Sequence, residues 1–190
     1  EQTAGVRPGI DVGDHHDVTI QGTKWKAIEV LGFRGDGVIT GVNSDRIRLK
    51  NLTVGHSGYG SIGKVGIRLQ GGENFLEQVI AYNNNIANVD IYCTKGYFGP
   101  QIKRCWIHND NSAIKGDGVR FNDARVWGQQ HQYINNSVFG PGLSTGILWS
   151  QRNSSLHISN NLFINAEKCN IKKTAQALPD YYYSIFNLSN

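Results

Sequence analysis

Residues 66–92 read GIRLQGGENFLEQVIAYNNNIANVDIY, a segment rich in apolar residues in which no part has the pattern of a helix. Its three bursts GIRLQ, NFLEQ and VIAYN alternate apolar with polar residues, which is the period of a β-strand. A burst that resembles the first one starts again at Asn88, 22 residues after Gly66. Because the same pattern restarts after so short a segment, we expect the chain to be built from structural repeats.

The three-burst pattern runs along the whole chain. Bursts of the first kind are GIDVGD (9–14), GVITGV (37–42), GIRLQG (66–71), NVDIYC (88–93), GVRFND (118–123), GILWSQ (146–151) and CNIKKT (169–174). Their starts lie 28, 29, 22, 30, 28 and 23 residues apart, and a second and usually a third burst follow each one. No tight Asn-Gly or Asp-Gly hairpin loop separates the bursts, which argues against a sandwich of hairpins.

The pattern therefore predicts an all-β fold in which each turn of the chain stacks on the turn before it. We expect a right-handed single-stranded parallel β-helix of about seven turns, with three short strands per turn. It would form one domain over residues 1–190, and we expect this domain to be a fragment of a longer chain.

A column of amides supports this prediction. At the end of the second strand, successive turns carry Asn51, Gln78, Cys105, Asn136 and Asn161. Stacked amides hydrogen-bond from turn to turn and satisfy backbone groups at a bend. Asparagine also favours turns for local reasons, but four amides in five aligned turns favour an asparagine ladder.

Composition and charge argue against several classes of function. The net charge is +4 and the 19 Lys and Arg residues form no long run, so nucleic-acid binding is not predicted. No stretch approaches the roughly 18 apolar residues of a spanning helix, so membrane insertion is not predicted. The cysteines Cys93, Cys105 and Cys169 lack metal-type spacing and are expected to be buried free thiols.

With its repeats and its amide column, the chain resembles the pectate-lyase-like superfamily of right-handed parallel β-helices. This superfamily includes pectin-degrading enzymes, other polysaccharide lyases, and bacteriophage tailspikes and appendages. The resemblance covers nearly the whole chain and implies a polysaccharide partner, at an extracellular site or on a virion surface. No capping helix precedes Ile10 and no cap is visible at the final NLSN. We therefore expect a homotrimer, flanking domains of the same chain, or both.

The first strands predict a face of charged and amide side chains. Aligning GIRL, NVDI, GVRF and GILW places Asp90 between two arginines in one outward column, whose members are Arg68, Asp90, Arg120 and Leu148. Asp11 is expected two turns below Arg68, and Asn170 one turn above Leu148. The next outward column is predicted to hold Gln70, Tyr92, Asn122, Ser150 and Lys172.

Side chains of these kinds suit a sugar chain. Arginine pairs with uronate carboxylates, amides bind hydroxyl groups, and aromatic rings lie on the C–H faces of sugars. The inserts TKGYFG (94–99) and ARVWGQQ (124–130) would add aromatic rings beside the charged face. The predicted substrate-binding residues are Arg68, Tyr92, Asn122, Tyr97, Phe98 and Trp127. The alternative is an Arg-Asp-Arg ladder that only neutralises itself on a solvated face.

Three residues are candidates for catalysis: Asp90, Arg120 and Asp117. Hydrolysis of a glycosidic bond needs two carboxyl groups roughly 5 to 9.5 Å apart, and Asp117, in KGDGVRF, is the best partner for Asp90. The resemblance implies β-elimination from a uronate as the other route, with Arg120 or Arg68 as the base. No metal ligand is assigned and no cofactor is predicted, with calcium expected only if the protein is a lyase.

The sequence therefore predicts a polysaccharide-directed β-helix domain that binds a cell-surface glycan and could cleave it, like a phage tailspike or appendage. The first alternative is a secreted lyase or glycoside hydrolase acting on an acidic polysaccharide. The second is an inert structural stalk. The patterns leave the choice among lyase, hydrolase and binding alone open.

Overall fold

The computed structural model describes residues 6–59, 62–94, 98–111, 113, 115–122, 130–150, 155–164, 166–173 and 185–189. For residues 93, 155, 169, 173 and 185–189 it describes the backbone alone. In this part of the chain every regular element is a short β-strand, and all strand pairs are parallel. None of the described segments is a helix long and apolar enough to cross a membrane.

Three sheets are formed, and successive strands of the chain belong to successive sheets. The first sheet stacks β1 (Ile10–Gly13), β4 (Val38–Thr40), β7 (Ile67–Gly71), β10 (Ala87–Cys93), β13 (Asp117–Phe121), β16 (Thr145–Trp149) and β19 (Cys169–Lys173). The second sheet stacks β2 (Thr19–Gln21), β5 (Arg48–Lys50), β8 (Phe75–Glu77), β11 (Phe98–Lys103), β14 (Gln130–Ile134), β17 (Ser155–Ser159) and β20 (Ile185–Ser189). The third sheet stacks β3 (Ile28–Leu31), β6 (Leu52–Gly55), β9 (Ile80–Tyr82), β12 (Trp106–His108), β15 (Ser137–Phe139) and β18 (Leu162–Ile164).

This arrangement is a parallel β-solenoid with three strands per turn, as the sequence predicts. Each apolar-polar burst corresponds to one strand, and each strand pairs with the strand three places further along the chain. The described solenoid is somewhat shorter than the predicted seven full turns. Its last turn contributes β19 and β20 but no third strand among the described residues.

The core consists of apolar side chains stacked in register along the solenoid. One column of the first sheet joins Val38, Ile67, Val89, Val119, Ile147 and Ile171. The column of the second sheet joins Leu49, Leu76, Ile102, Tyr133 and Ile158. Most of these side chains are fully buried. Because successive side chains of a strand point to opposite faces, every second side chain enters the core and the others form the outer faces.

The predicted amide column combines two adjacent positions, because three of its five residues lie one position after the bend. The bend between the second and third sheets is made by a single residue with φ between 51° and 57°, namely Asn51, Gln78, Arg104, Asn135 and Asn160 in successive turns. Asparagine adopts this left-handed conformation more readily than most residues. Asn51 and Gln78 therefore form the bend itself, whereas Cys105, Asn136 and Asn161 lie one position after it.

An asparagine ladder is nevertheless present inside this bend. The backbone N–H of Cys105 donates to Asn136 Oδ1 at 2.8 Å, and the backbone N–H of Asn136 donates to Asn161 Oδ1 at 2.7 Å. The side-chain amide of Asn136 also donates to the carbonyl of Ile102 at 3.0 Å. Backbone groups that the bend would otherwise leave buried and unpaired are satisfied in this way.

A second ladder, not predicted from the sequence, closes the bend between the third and first sheets. The backbone N–H of Ser57 donates to Asn84 Oδ1 at 2.9 Å, and the side-chain amide of Asn84 donates to Asn88 Oδ1 at 2.9 Å. The amide of Asn88 in turn donates to Asn109 Oδ1 at 3.0 Å. These three asparagines are fully buried, so the ladder fixes the start of β10, the strand that carries Asp90.

Candidate functional site

The predicted charged column of the first sheet is confirmed in its central part. Asp90 in β10 pairs in register with Arg68 in β7 on one side and with Arg120 in β13 on the other. Arg120 pairs with Leu148 of the next turn, and Tyr92 pairs with Gln70. Adjacent strands are about 4.8 Å apart, so the two arginines flank the carboxylate as predicted.

The upper end of the column differs from the prediction by two residues. Leu148 pairs with Lys172, not with Asn170. Lys172 therefore belongs to the column of Asp90 and not to the neighbouring column of Tyr92. The physical reason is that Ile171 stacks on Ile147 in the core, so the outward position above Leu148 falls on Lys172.

Asp90 lies on the outer face but is covered by side chains of the neighbouring turns. Arg68 Nη1 donates to Asp90 Oδ2 at 2.8 Å, and the amide of Asn122 donates to Asp90 Oδ1. Only 3% of Asp90 is exposed. The predicted exposed carboxylate is thus a buried one, because the long side chains on either side fold over it.

Asp36 completes the cluster and was missed by the sequence analysis. Arg68 Nε donates to Asp36 Oδ2 at 3.1 Å, and the backbone N–H of Val65 donates to Asp36 Oδ1 at 2.7 Å. Lys64 Nζ lies 3.9 Å from the same carboxylate. The sequence does contain a signal for it: RGDGV (34–38) and KGDGV (115–119) are near-identical, and they place Asp36 and Asp117 two residues before Val38 and Val119, which share one column of the first sheet.

Arg120 is the most exposed arginine of the cluster. Its Nε lies 3.3 Å from Asp117 Oδ2, in an ion contact that is not a hydrogen bond. About 28% of the Arg120 side chain is exposed, compared with 18% for Arg68. The structure therefore brings together five of the predicted site residues, namely Arg68, Asp90, Asp117, Arg120 and Asn122. We call these five residues and Asp36 the first-sheet cluster.

Burial raises the pKa of two carboxyl groups in this cluster. Removal from water raises the pKa of Asp90, and the nearby guanidinium groups of Arg68 and Arg120 only partly oppose this effect. Removal from water likewise raises the pKa of Asp117, opposed by Arg120 and by a hydrogen bond from Thr145. Perturbed carboxyl groups of this kind concentrate at functional sites.

Replacing Asp90 with asparagine is expected to be more harmful at low pH than at neutral pH. The pKa of Asp90 is raised on folding, so its contribution to stability is fully present below its ordinary pKa, near 4, and is lost as the pH rises through the folded value. The free energy of unfolding of the wild type minus that of Asp90→Asn should therefore fall between pH 4 and pH 7. Urea unfolding of both proteins at four pH values measures this difference in the free energy of unfolding. Asp11→Asn, in an exposed residue, serves as the control, and a difference that grows with pH would contradict the burial effect.

Of the predicted aromatic residues that the structure describes, Tyr92 lies on the first sheet and Phe98 on the second. Tyr92 is half-buried beside Gln70. Phe98 is 47% exposed and begins β11, where it pairs with Gln130 in the second sheet. Tyr97 and Trp127 lie outside the described residues.

The described residues contain no group of three or more His, Cys, Asp or Glu placed to hold a metal ion. Cys105 is a free and buried thiol, as predicted, and burial raises its pKa to about 12. A thiol with so high a pKa is not a nucleophile at neutral pH. The side chains of Cys93 and Cys169 are not among those described.

Comparison of the chain with known protein families, with curated proteins and with solved structures gives no match. The parallel three-sheet solenoid therefore rests on the strand pairing itself.

Proposed function

We propose that this domain binds a polysaccharide chain on the outer face of the first sheet, at the first-sheet cluster. The observation that carries the proposal is the position of Arg120. The Arg120 side chain is 28% exposed and lies between Asp117 and the buried Asp90, and its Nε is buried and makes no hydrogen bond within the described residues. A partly exposed arginine held in place by carboxylates suits a uronate carboxylate or a pair of sugar hydroxyl groups.

Energetics favour a functional role for the cluster over a purely structural one. A buried ion-pair network is weak as a stabilising device, because well-packed apolar residues in its place are often as stabilising or more so. An inert stalk could cover its first sheet with apolar or small polar side chains at lower cost. The cluster instead places three carboxylates and two arginines on one outer face.

The same geometry supports binding better than hydrolysis. Both carboxylate oxygens of Asp90 already accept hydrogen bonds, one from Arg68 and one from Asn122. A general acid must instead present its proton to the leaving oxygen of the sugar. Asp90 is therefore assigned to positioning Arg68 and Asn122, and Arg120 to contact with the glycan.

We further propose that the domain is a tailspike-like or appendage-like member of the pectate-lyase-like superfamily. It would act at a cell or virion surface as a homotrimer. Exposed apolar side chains on the third sheet support association with a second copy: Trp106 at 48%, Leu162 at 54% and Ile164 at 43% exposure. Size-exclusion chromatography with light scattering should give the mass of three chains. A monomer under all conditions would overturn this form of the proposal.

Arg120→Ala is expected to weaken polysaccharide binding at least about tenfold, since hydrogen bonds to a charged group are worth about 1.5 to 3 kcal/mol. Affinity electrophoresis against acidic polysaccharides such as polygalacturonate and alginate, and against neutral dextran, would measure it. Arg46→Ala is the matched control, because Arg46 is an exposed arginine that pairs with Asp17 outside the cluster.

Two activity assays run with the same polysaccharides separate the alternatives. A reducing-end assay detects hydrolysis, and ultraviolet absorbance detects the unsaturated uronates of a lyase. Binding without either product supports the proposal as stated. Turnover that disappears in Asp117→Asn would replace it with an enzyme, and equal binding by wild type and Arg120→Ala would remove the first-sheet cluster from the function.

A further inference from the structure

A second groove lies on the outer face of the second sheet, where the sequence analysis placed no site. Its volume is about 420 Å³. Two columns of side chains line it. The first joins Thr19, Arg48, Phe75 and Gln101, and the second joins Gln21, Lys50, Glu77 and Lys103. Arg104, at the bend after β11, stands at its edge. We call this surface the second-sheet groove.

The second-sheet groove carries a clear excess of positive charge. Its lining includes four cations, Arg48, Lys50, Lys103 and Arg104, and one carboxylate, Glu77. The net charge of the lining is thus +3, although the whole chain carries only +4. A groove that concentrates most of the net charge of the chain attracts anions and raises their rate of association.

Arg48 is held in place by an aromatic ring. Its guanidinium carbon lies 4.4 Å from the centroid of the Phe75 ring, which stacks on it in the next turn. This cation–π contact fixes the plane of the guanidinium without using its N–H donors. The donors of Arg48 are therefore pre-oriented, and binding an anion would cost little side-chain entropy.

Glu77 lies between two of the other cations. Its Oε2 is 3.2 Å from Lys50 Nζ and its Oε1 is 3.5 Å from Arg104 NH1. All three side chains are about one-third exposed or more, so these ion pairs are weak and an incoming carboxylate can compete with them. Glu77 keeps the cations apart and aligned while it lowers their affinity for an anion.

The spacing of the cations fits a linear chain that runs along the solenoid. Lys50 and Lys103 occupy the same column with Glu77 between them, so they are two strand spacings apart, which is about 10 Å. That separation is comparable to the length of a disaccharide unit. Amide side chains of Gln21, Gln101 and Asn135 lie among the cations and can bind hydroxyl groups.

We infer that the second-sheet groove binds an acidic polysaccharide, with Arg48, Lys50, Lys103 and Arg104 pairing with carboxylate groups along the chain. The amides between the cations favour a hydroxyl-rich ligand over a nucleic acid. Single-stranded nucleic acids bind largely by stacking bases on open aromatic faces, and Arg48 already covers the ring of Phe75. This inference concerns a different surface from the first-sheet cluster and stands or falls separately from the proposed function.

The test is isothermal titration calorimetry with an oligogalacturonate at low and at moderate salt. The double variant Arg48→Ala, Lys103→Ala should lose at least about tenfold in affinity, and the affinity of the wild type should fall as salt rises. Glu77→Gln should instead bind severalfold more tightly, because it removes the competing carboxylate. Lys24→Ala, which removes an exposed lysine outside the groove, should bind like the wild type.

The opposite sign of the Glu77 effect guards against variants that only perturb folding, since a damaged protein does not gain affinity. Unchanged affinity in both the double variant and Glu77→Gln would overturn the inference. Tighter binding of a DNA oligonucleotide than of the oligogalacturonate would overturn it in favour of a nucleic-acid site. Arg120→Ala is measured in parallel: loss of binding there, with none in the groove variants, would leave the proposed function standing and remove this one.

Discussion

Replacing Arg68 with alanine should lower the free energy of unfolding by about 3 to 5 kcal/mol, because the change leaves two buried carboxylates without their main cation. Arg68 contacts Asp36 Oδ2 at 3.1 Å and Asp90 Oδ2 at 2.8 Å. The Asp36 and Asp90 side chains are only 1% and 4% exposed. The loss should shrink at low pH, since burial raises the pKa of Asp90 and this carboxyl group is then neutralised by a proton.

Arg46→Ala is the matched control for this variant. Arg46 also forms an ion pair, with Asp17 at 2.6 Å, but its side chain is 46% exposed and that of Asp17 is 65% exposed. Solvent screens an exposed pair of this kind, so its removal should lower stability far less than Arg68→Ala does. Urea unfolding of both variants at pH 7 measures the difference. Equal losses would show that the first-sheet cluster is solvated and that its burial plays no part in stability.

Phe121→Ala should cost about 3 to 5 kcal/mol of stability, the range for removing a large aromatic side chain from a packed core. Phe121 is fully buried, and its ring centroid lies 5.2 Å from that of Trp149 and 5.5 Å from that of His131. These rings belong to neighbouring turns of the first sheet and to the second sheet. The cavity would therefore loosen the stacking of the same turns that carry Arg120.

The control for Phe121→Ala is Phe33→Ala, because Phe33 is 38% exposed. Its loss should be less than half as large, since a partly exposed ring leaves little cavity behind. Thermal or urea unfolding compares the two variants. If Phe121→Ala unfolded at the same denaturant concentration as Phe33→Ala, the interior of these turns would not be a packed core.

Much of the fold could be predicted from the sequence because strand period and repeat length are local signals. The restart at Asn88 was sufficient to set Asp90 in register between Arg68 and Arg120. The asparagine ladders were harder to predict, because a shift of one residue along the chain decides which asparagine takes part. Asn135 and Asn136 are neighbours, and the sequence does not say which one makes the bend and which one bonds inside it.

The candidate sites were less predictable, since burial and charge clustering arise from several turns at once. Asp90 was expected on an open face, and its burial depends on how Arg68 and Asn122 fold over it. Asp36 lies 32 residues before Arg68 in the chain, and only the repeated GDGV segment hints at it. The second-sheet groove is lined by Arg48, Phe75 and Lys103, which come from three separate strands. In the sequence each of these strands shows only the usual alternation of apolar and polar residues, which does not indicate a groove.

Binding of an oligosaccharide to the outer face of the first sheet can be followed by NMR of the arginine side chains. The Nε–Hε signals of the arginines would be followed while a defined acidic oligosaccharide, such as oligogalacturonate or an alginate oligomer, is added. The signal of Arg120 should shift in proportion to binding, whereas that of Arg46, which pairs with Asp17 outside the cluster, should stay in place. If no arginine signal of the first-sheet cluster moved at millimolar concentrations of every acidic oligosaccharide tried, binding at this face would be contradicted.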